Sequence, residues 1–224
     1  MRIVLYAEGP GEDRGESAWL PAPGEPLSAQ HRGAAHHLVA RLLDADRGIP
    51  QQAVQFVSPL RYQGKPHRGS DLLQPKRLRR LLTFAAPTKR PQLAIVFIDE
   101  DGVSDRKRQV EASTAGLDLP RVIAVPVREF EAWLIADPRA LADHLGIKTT
   151  PSAPESMARG QAKQLLQQWI AEAMERIPDQ TDLGAHTWGT RRDLALNCDL
   201  EALGRLGAFQ RFRGELRAVA SSIR

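Results

Sequence analysis

Residues 3–7, 93–98 and 122–127 are short, nearly unbroken apolar runs, rich in Val and Ile and closed by polar residues. Runs of that length and composition predict strands buried on both faces. A weaker run at 54–58 predicts a fourth. Between them the apolar spacing changes to three and four residues. Ala34, Ala35, Leu38, Val39, Leu42 and Leu43 mark one amphipathic helix, and Leu78, Leu81, Leu82 and Ala85 a second. Strands alternating with helices predict an α/β protein with a mostly parallel sheet flanked by helices. Beyond about residue 137 the pattern is helical only: 161–177 is periodic through Leu166, Trp169 and Ile170, and later segments through Leu200, Leu203 and Leu206, then Phe212, Leu216 and Val219. A stretch at 148–154 with two Pro and several Ser/Thr reads as a linker. The expectation is an α/β domain at 1–147 and an all-helical C-terminal extension at 148–224 packing on it. Residues 9–30, rich in Gly, Pro and Glu, read as a long loop.

Composition narrows the class. With 224 residues, 42% hydrophobic and 26% charged, the chain is neither disordered nor fibrous. Its apolar runs fall far short of the ~20 residues of a membrane span, and its first residues lack an apolar signal core, so the expected address is the cytoplasm, without membrane contact. The single cysteine, Cys198, excludes a disulfide framework or a Cys-rich zinc site within one chain. No HExxH motif and no nucleophile elbow is present. Net charge is +4, yet residues 61–90 hold nine Lys/Arg against one acid, Asp71. That window is +8 and the rest of the chain −4. A basic segment on an acidic body is the footprint of a polyanion partner, here nucleic acid, with Lys76, Arg77, Arg79 and Arg80 on the second helix as the candidate contacts; a solvated surface helix is the plainer alternative.

The acids are the candidate chemistry. The first strand runs into Glu8-Gly9, the strand at 93–98 into Asp99-Glu100-Asp101-Gly102, and the strand at 122–127 into Arg128-Glu129-Phe130-Glu131. If the strands are parallel, these carboxylates gather at one edge, where open α/β sheets bind ligands. Crowded carboxylates call for a cation, and an all-oxygen set selects Mg²⁺ or Mn²⁺. The competing reading is that each acid caps a following helix. A helix over 129–136 would bury Phe130, Trp133 and Leu134 and throw Glu129 and Glu131 onto opposite flanks, ~200° apart. Glu131 is the favoured functional acid and Glu129 the weaker candidate. Gly9-x-Gly11-x-x-x-Gly15 imitates a dinucleotide fingerprint, but Glu8, Glu12, Asp13 and Glu16 would repel a pyrophosphate. Lys163 stands at the border of its helix's apolar stripe, placed either to snorkel outward or to meet a phosphate.

Taken in order, Glu8-Gly9 after a strand, Asp99-x-Asp101 after another, and Glu129-x-Glu131-Ala132-Trp133-Leu134 followed by Asp137 resemble the TOPRIM fold, a Rossmannoid. More narrowly, the chain resembles the small stand-alone TOPRIM-like proteins paired with ABC-type ATPases in bacteria, relatives of the nuclease half of overcoming-lysogenization-defect nucleases. Gly160-Gln161-Ala162-Lys163 and Phe209-Gln210-Arg211-Phe212 resemble that subfamily's helical tail. The resemblance implies Mg²⁺-dependent phosphodiester hydrolysis, with Glu8 as ligand and base, Asp99 and Asp101 as ligands, Glu131 (or Glu129) as a further ligand, and Lys163 at the scissile phosphate. It also implies an ABC-type ATPase partner in phage defence, and it leaves self-association open.

Overall fold

In the computed structural model, residues 1–224 are described except 18, 63–64, 67–68, 84–89, 101, 176–182 and 224. Four strands, β1 (Arg2–Ala7), β2 (Gln55–Val57), β5 (Leu93–Phe97) and β6 (Arg121–Ala124), form one all-parallel sheet in the order β2-β1-β5-β6. A two-stranded antiparallel ribbon, β3 (Arg61–Tyr62) and β4 (Lys65–Pro66), stands apart from it. The strand order reverses around β1, with β2 on one side and β5 on the other. The crevice outside the carboxyl ends of β1 and β5 is therefore the topological switch point, where sheets of this kind take ligands.

Alternate residues of each strand serve two cores, which is why the strands read as continuous apolar runs. Ile3, Leu5, Ile95, Phe97 and Val122 face one side; Val4, Tyr6, Val96 and Ile123 face the other. The second side is covered by α3 (Pro75–Leu81) and α4 (Arg106–Thr114), through Leu78, Leu81 and Val110. The Tyr6 hydroxyl donates to Leu81 O at 2.8 Å and fastens the basic helix α3 to β1. The first side carries α2 (Ala34–Arg47) and the whole helical C-terminal part: α5 (Glu131–Leu134), α6 (Pro138–Leu145), α7 (Gln161–Met174), α8 (Leu183–Asn197), α9 (Leu200–Leu203) and α10 (Gly207–Ser222). Gly48 (φ 62°) ends α2 in the left-handed conformation that a Cβ disfavours. An aromatic cluster, Phe97, Phe130, Trp133, Phe209 and Phe212, joins β5 and α5 to α10, with ring centroids 5.2–6.1 Å apart. The architecture is an α/β Rossmannoid with a helical C-terminal part.

Three local expectations are corrected. The strand expected over 122–127 ends at Ala124: Ile98 N–H still donates to Ala124 O at 3.0 Å and Glu100 N–H to Pro126 O at 3.1 Å, but β5 stops at Phe97 and Pro126 has no N–H to return a bond. The loop expected over 9–30 begins with a helical turn, α1 (Pro10–Asp13), because Pro10 at the first helical position is pre-set for it and Glu12 and Asp13 suit the N-terminal end. The helix expected over 129–136 shortens to α5 and starts after a turn centred on Arg128. The stretch 148–154 is irregular, and just beyond it Glu155 accepts the Gly207 and Ala208 N–H groups at 3.0 and 3.1 Å, capping α10.

Candidate metal centre

β1 ends at Glu8, whose N–H donates to Phe97 O (3.0 Å) and whose carbonyl accepts Gly69 N–H (2.8 Å). The chain on the approach to α3, the start of the basic helix, is thereby held at the acidic edge. The Glu8 carboxylate accepts the Asp99 N–H through Oε2 at 3.0 Å, so the acids at the ends of β1 and β5 meet across the switch point. Arg106, first residue of α4, places Nη1 3.9 Å from the same oxygen. Asp101 lies outside the described residues.

Glu12, a member of α1, is another deeply buried acid of the edge, only 4% exposed. Its Oε2 has no hydrogen-bond partner among the described residues. A Cβ built on Gly9 would lie 3.1 Å from that atom, so the carboxyl sits against the turn that follows β1. Burial pushes the Glu12 carboxyl well above the ordinary carboxylate range, and the charges of Asp99, Glu131 and Asp13, in that order, push it further. Carboxylates from α1, the β5 loop and α5 thus feel one another's charge, although among the described residues no three of them are close enough to share a metal ion.

Glu131 answers the same crowding differently. Its Oε1 accepts Arg191 Nη1 at 2.7 Å, and the two side chains are 4% and 3% exposed. Arg191 comes from α8, and the pair lies under α1: a Cβ on Gly11 would stand 2.1 Å from Arg191 Nη1 and 3.0 Å from Glu131 Oε1. A larger residue there would have to displace the ion pair. The second Gly of the apparent dinucleotide fingerprint therefore serves close packing over an ion pair.

Glu129 is drawn elsewhere again. Arg128 has φ 66°, the one non-glycine residue described with a positive φ, and Glu129 N–H donates to Val127 O at 2.8 Å, closing a tight turn of a kind that stores strain. The turn aims Glu129 at α7, where Oε1 accepts Lys163 N–H at 2.9 Å; Gly160, the residue that begins α7, has no side chain to do so. Burial raises the Glu129 carboxyl above its usual range, the Lys163 N–H opposes that, and Glu131 adds to it. The expectation that the two acids stand on opposite flanks of one helix is corrected: residue 129 precedes the helix, and the two carboxylates feel each other's charge. Lys163 is exposed and meets the acids through its backbone N–H. Asp137 caps α6 through Arg139 N–H (2.9 Å) and accepts Asp199 N–H (2.7 Å), a structural duty.

The four candidate cations of α3 are exposed but unequal. Arg77 pairs with Asp71, and Arg79 donates to Ser113 O and Ala115 O at 3.2 and 2.8 Å, closing the C-terminal end of α4. Lys76 and Arg80 have no partner among the described residues.

Sequence reasoning did not single out Glu12 or Arg191. Glu12 had a signal: it lies four residues after Glu8, behind a Pro that opens a helical turn. Arg191 had none, being 60 residues from Glu131 with nothing local to mark it. No family model, no curated protein and no solved structure matches the chain, so the functional reading rests on this geometry.

Proposed function

We propose that the carboxyl edge is the centre of a Mg²⁺- or Mn²⁺-dependent nuclease, hydrolysing phosphodiester bonds of DNA or RNA. The observation that carries this reading is the buried, unpartnered Oε2 of Glu12 in the field of Asp99, Glu131 and Asp13. An all-oxygen donor set that repels itself fits a hard divalent cation. Glu8, Glu12 and Asp99 would have to draw together to hold it, since among the described residues no three such side chains are placed to share a metal ion; Asp101 stands beside them in sequence. Such an ion, when bound, polarises a phosphoryl oxygen and lowers the pKa of water. Glu8 is placed to accept a proton at its carboxylate, since the Asp99 N–H and Arg106 orient that group. Arg106 also offers positive charge beside the edge, where a phosphate would otherwise meet only carboxylates. Lys76 and Arg80 on α3 would hold the polyanion by its phosphates, contacts that position a strand without reading its sequence.

In this reading the protein is the effector of an ATPase-coupled defence system, with an ABC-type ATPase as partner. A second reading is favoured by the Glu131–Arg191 pair and by the capping duty of Glu129: acids satisfied within the fold would suit a non-catalytic protein docking on such an ATPase. One experiment separates the two. Asp99→Asn should lower Mn²⁺ affinity at least tenfold by calorimetry and reduce metal-dependent cleavage of labelled nucleic acid by about 10³-fold, roughly 4 kcal/mol of barrier. Wild-type protein that takes up no Mn²⁺ would leave the docking reading in place.

A further inference from the structure

Beside α1, the loop that follows it lines a cavity of about 240 Å³ against β1 and the start of α2. Its apolar walls include Leu5, Leu27 and Pro59, and its polar lining includes Asp13, His31 and His36. His36 is fully buried and neutral, its pKa pushed down to about 3 by burial first and then by His37 and Arg32. Its Nδ1 accepts Gly33 N–H at 3.1 Å, which leaves the ring proton on Nε2 as a fixed donor. His31 is 5% exposed; its Nδ1 is engaged with Ser28 Oγ at 2.7 Å, and its Nε2 has no partner among the described residues. A buried ring nitrogen without a partner is costly unless something polar arrives. Trp19, at the rim, has its ring 6.0 Å from that of His31. It is 70% exposed, the one large apolar side chain so exposed among the described residues.

We propose that this cavity takes a single unpaired nucleobase, with Trp19 stacking on the same base or its neighbour. The inference rests on the nuclease reading in one respect: α1 places Glu12 toward the acids and Pro10 and Asp13 on the cavity, so a strand whose phosphate reached the edge would have a base beside the cavity. The chemistry selects the occupant. Asp13 and Arg14 both line the wall and offset each other, so the lining selects neither an anion nor a cation and suits a neutral group. A purely apolar side chain would leave His31 Nε2 unpaired. A flat ring with donors and acceptors on its rim satisfies both and uses the apolar walls as its faces. The volume, just under the roughly 300–1,000 Å³ of pockets for drug-sized ligands, suits one base and excludes a base pair. Unpaired strands are therefore preferred over duplex, as exposed aromatic platforms also favour.

The test is equilibrium binding by fluorescence anisotropy in EDTA, so that neither the metal nor cleavage enters. The probes are a short labelled single-stranded oligonucleotide, the same sequence as duplex, and a nucleoside monophosphate as competitor. Trp19→Ala, at an exposed position that the fold does not use, should weaken single-strand binding roughly 5- to 150-fold, the loss of one stacked base, and change duplex binding less than twofold. His31→Phe, checked for folding by circular dichroism, should act in the same direction. Single-strand binding unchanged in Trp19→Ala overturns the base site while leaving the nuclease reading standing. Binding of the monophosphate alone, lost in the variants, supports the base site with a free nucleotide as its source. No binding of any probe overturns the base site, and Mn²⁺ titration of Trp19→Ala, expected to match wild type, keeps the metal centre separately measurable.

Discussion

Glu131 and Glu12 lie on either side of the same helical turn, equally buried, and they meet opposite fates. Glu131 has a guanidinium 2.7 Å away; Glu12 has an oxygen with no partner among the described residues and three carboxylates around it. The first arrangement is self-contained and holds α8 under α1. The second is costly unless a proton or a cation is supplied from outside, which is why the proposed centre is put there and not at the better-formed ion pair. The same contrast recurs on α3, where Arg77 and Arg79 serve the fold while Lys76 and Arg80 stay available. Partnered charge builds the protein, and unpartnered charge is what a ligand can use.

The sharpest way to break the comparison is Arg191→Met. It leaves Glu131 buried without its counter-charge and should cost about 3–5 kcal/mol by urea unfolding, whereas Glu131→Gln combined with Arg191→Met should recover most of that loss. Equal losses in the single and double variants would mean that Arg191 acts by packing alone. Glu12→Gln should do the reverse and stabilise the metal-free protein by about 1–3 kcal/mol at pH 8. The sign follows from a folded pKa raised above the unfolded one. Stability from the protonated carboxyl is present below the ordinary carboxylate value and is lost as pH rises through the raised one, so the gain should shrink toward pH 5. In the proposed metal centre, Mg²⁺ should raise the melting temperature of the wild type, and the same substitution should abolish that rise. A smaller effect separates the cations: Lys76→Ala with Arg80→Ala should lower the slope of log K against log salt for duplex DNA by about 2. Arg77→Ala should leave that slope nearly unchanged.

Much of the fold was legible because its signals are local. The unbroken apolar runs at β1 and β5 require burial on both faces, and the three-and-four spacing of α2, α7 and α10 requires one face against a core; neither depends on distant residues. Glu8 and Asp99 were legible for a related reason, since a parallel sheet brings every strand end to one edge. Boundaries were less so: Ala124 ends β6 because β5 ends at Phe97, and α5 starts where Arg128 turns the chain.

The sequence by itself determined the alternation of strands and helices, the acids at the strand ends and the basic segment at 61–90. Only the tertiary structure decided which acids are free to act. Whether Glu131 meets Arg191, Glu129 caps α7, or Glu12 is left in a crowd depends on contacts between segments far apart in the chain. The cost of a buried charge is set by whatever stands within a few ångströms of it, and residue order does not carry that information.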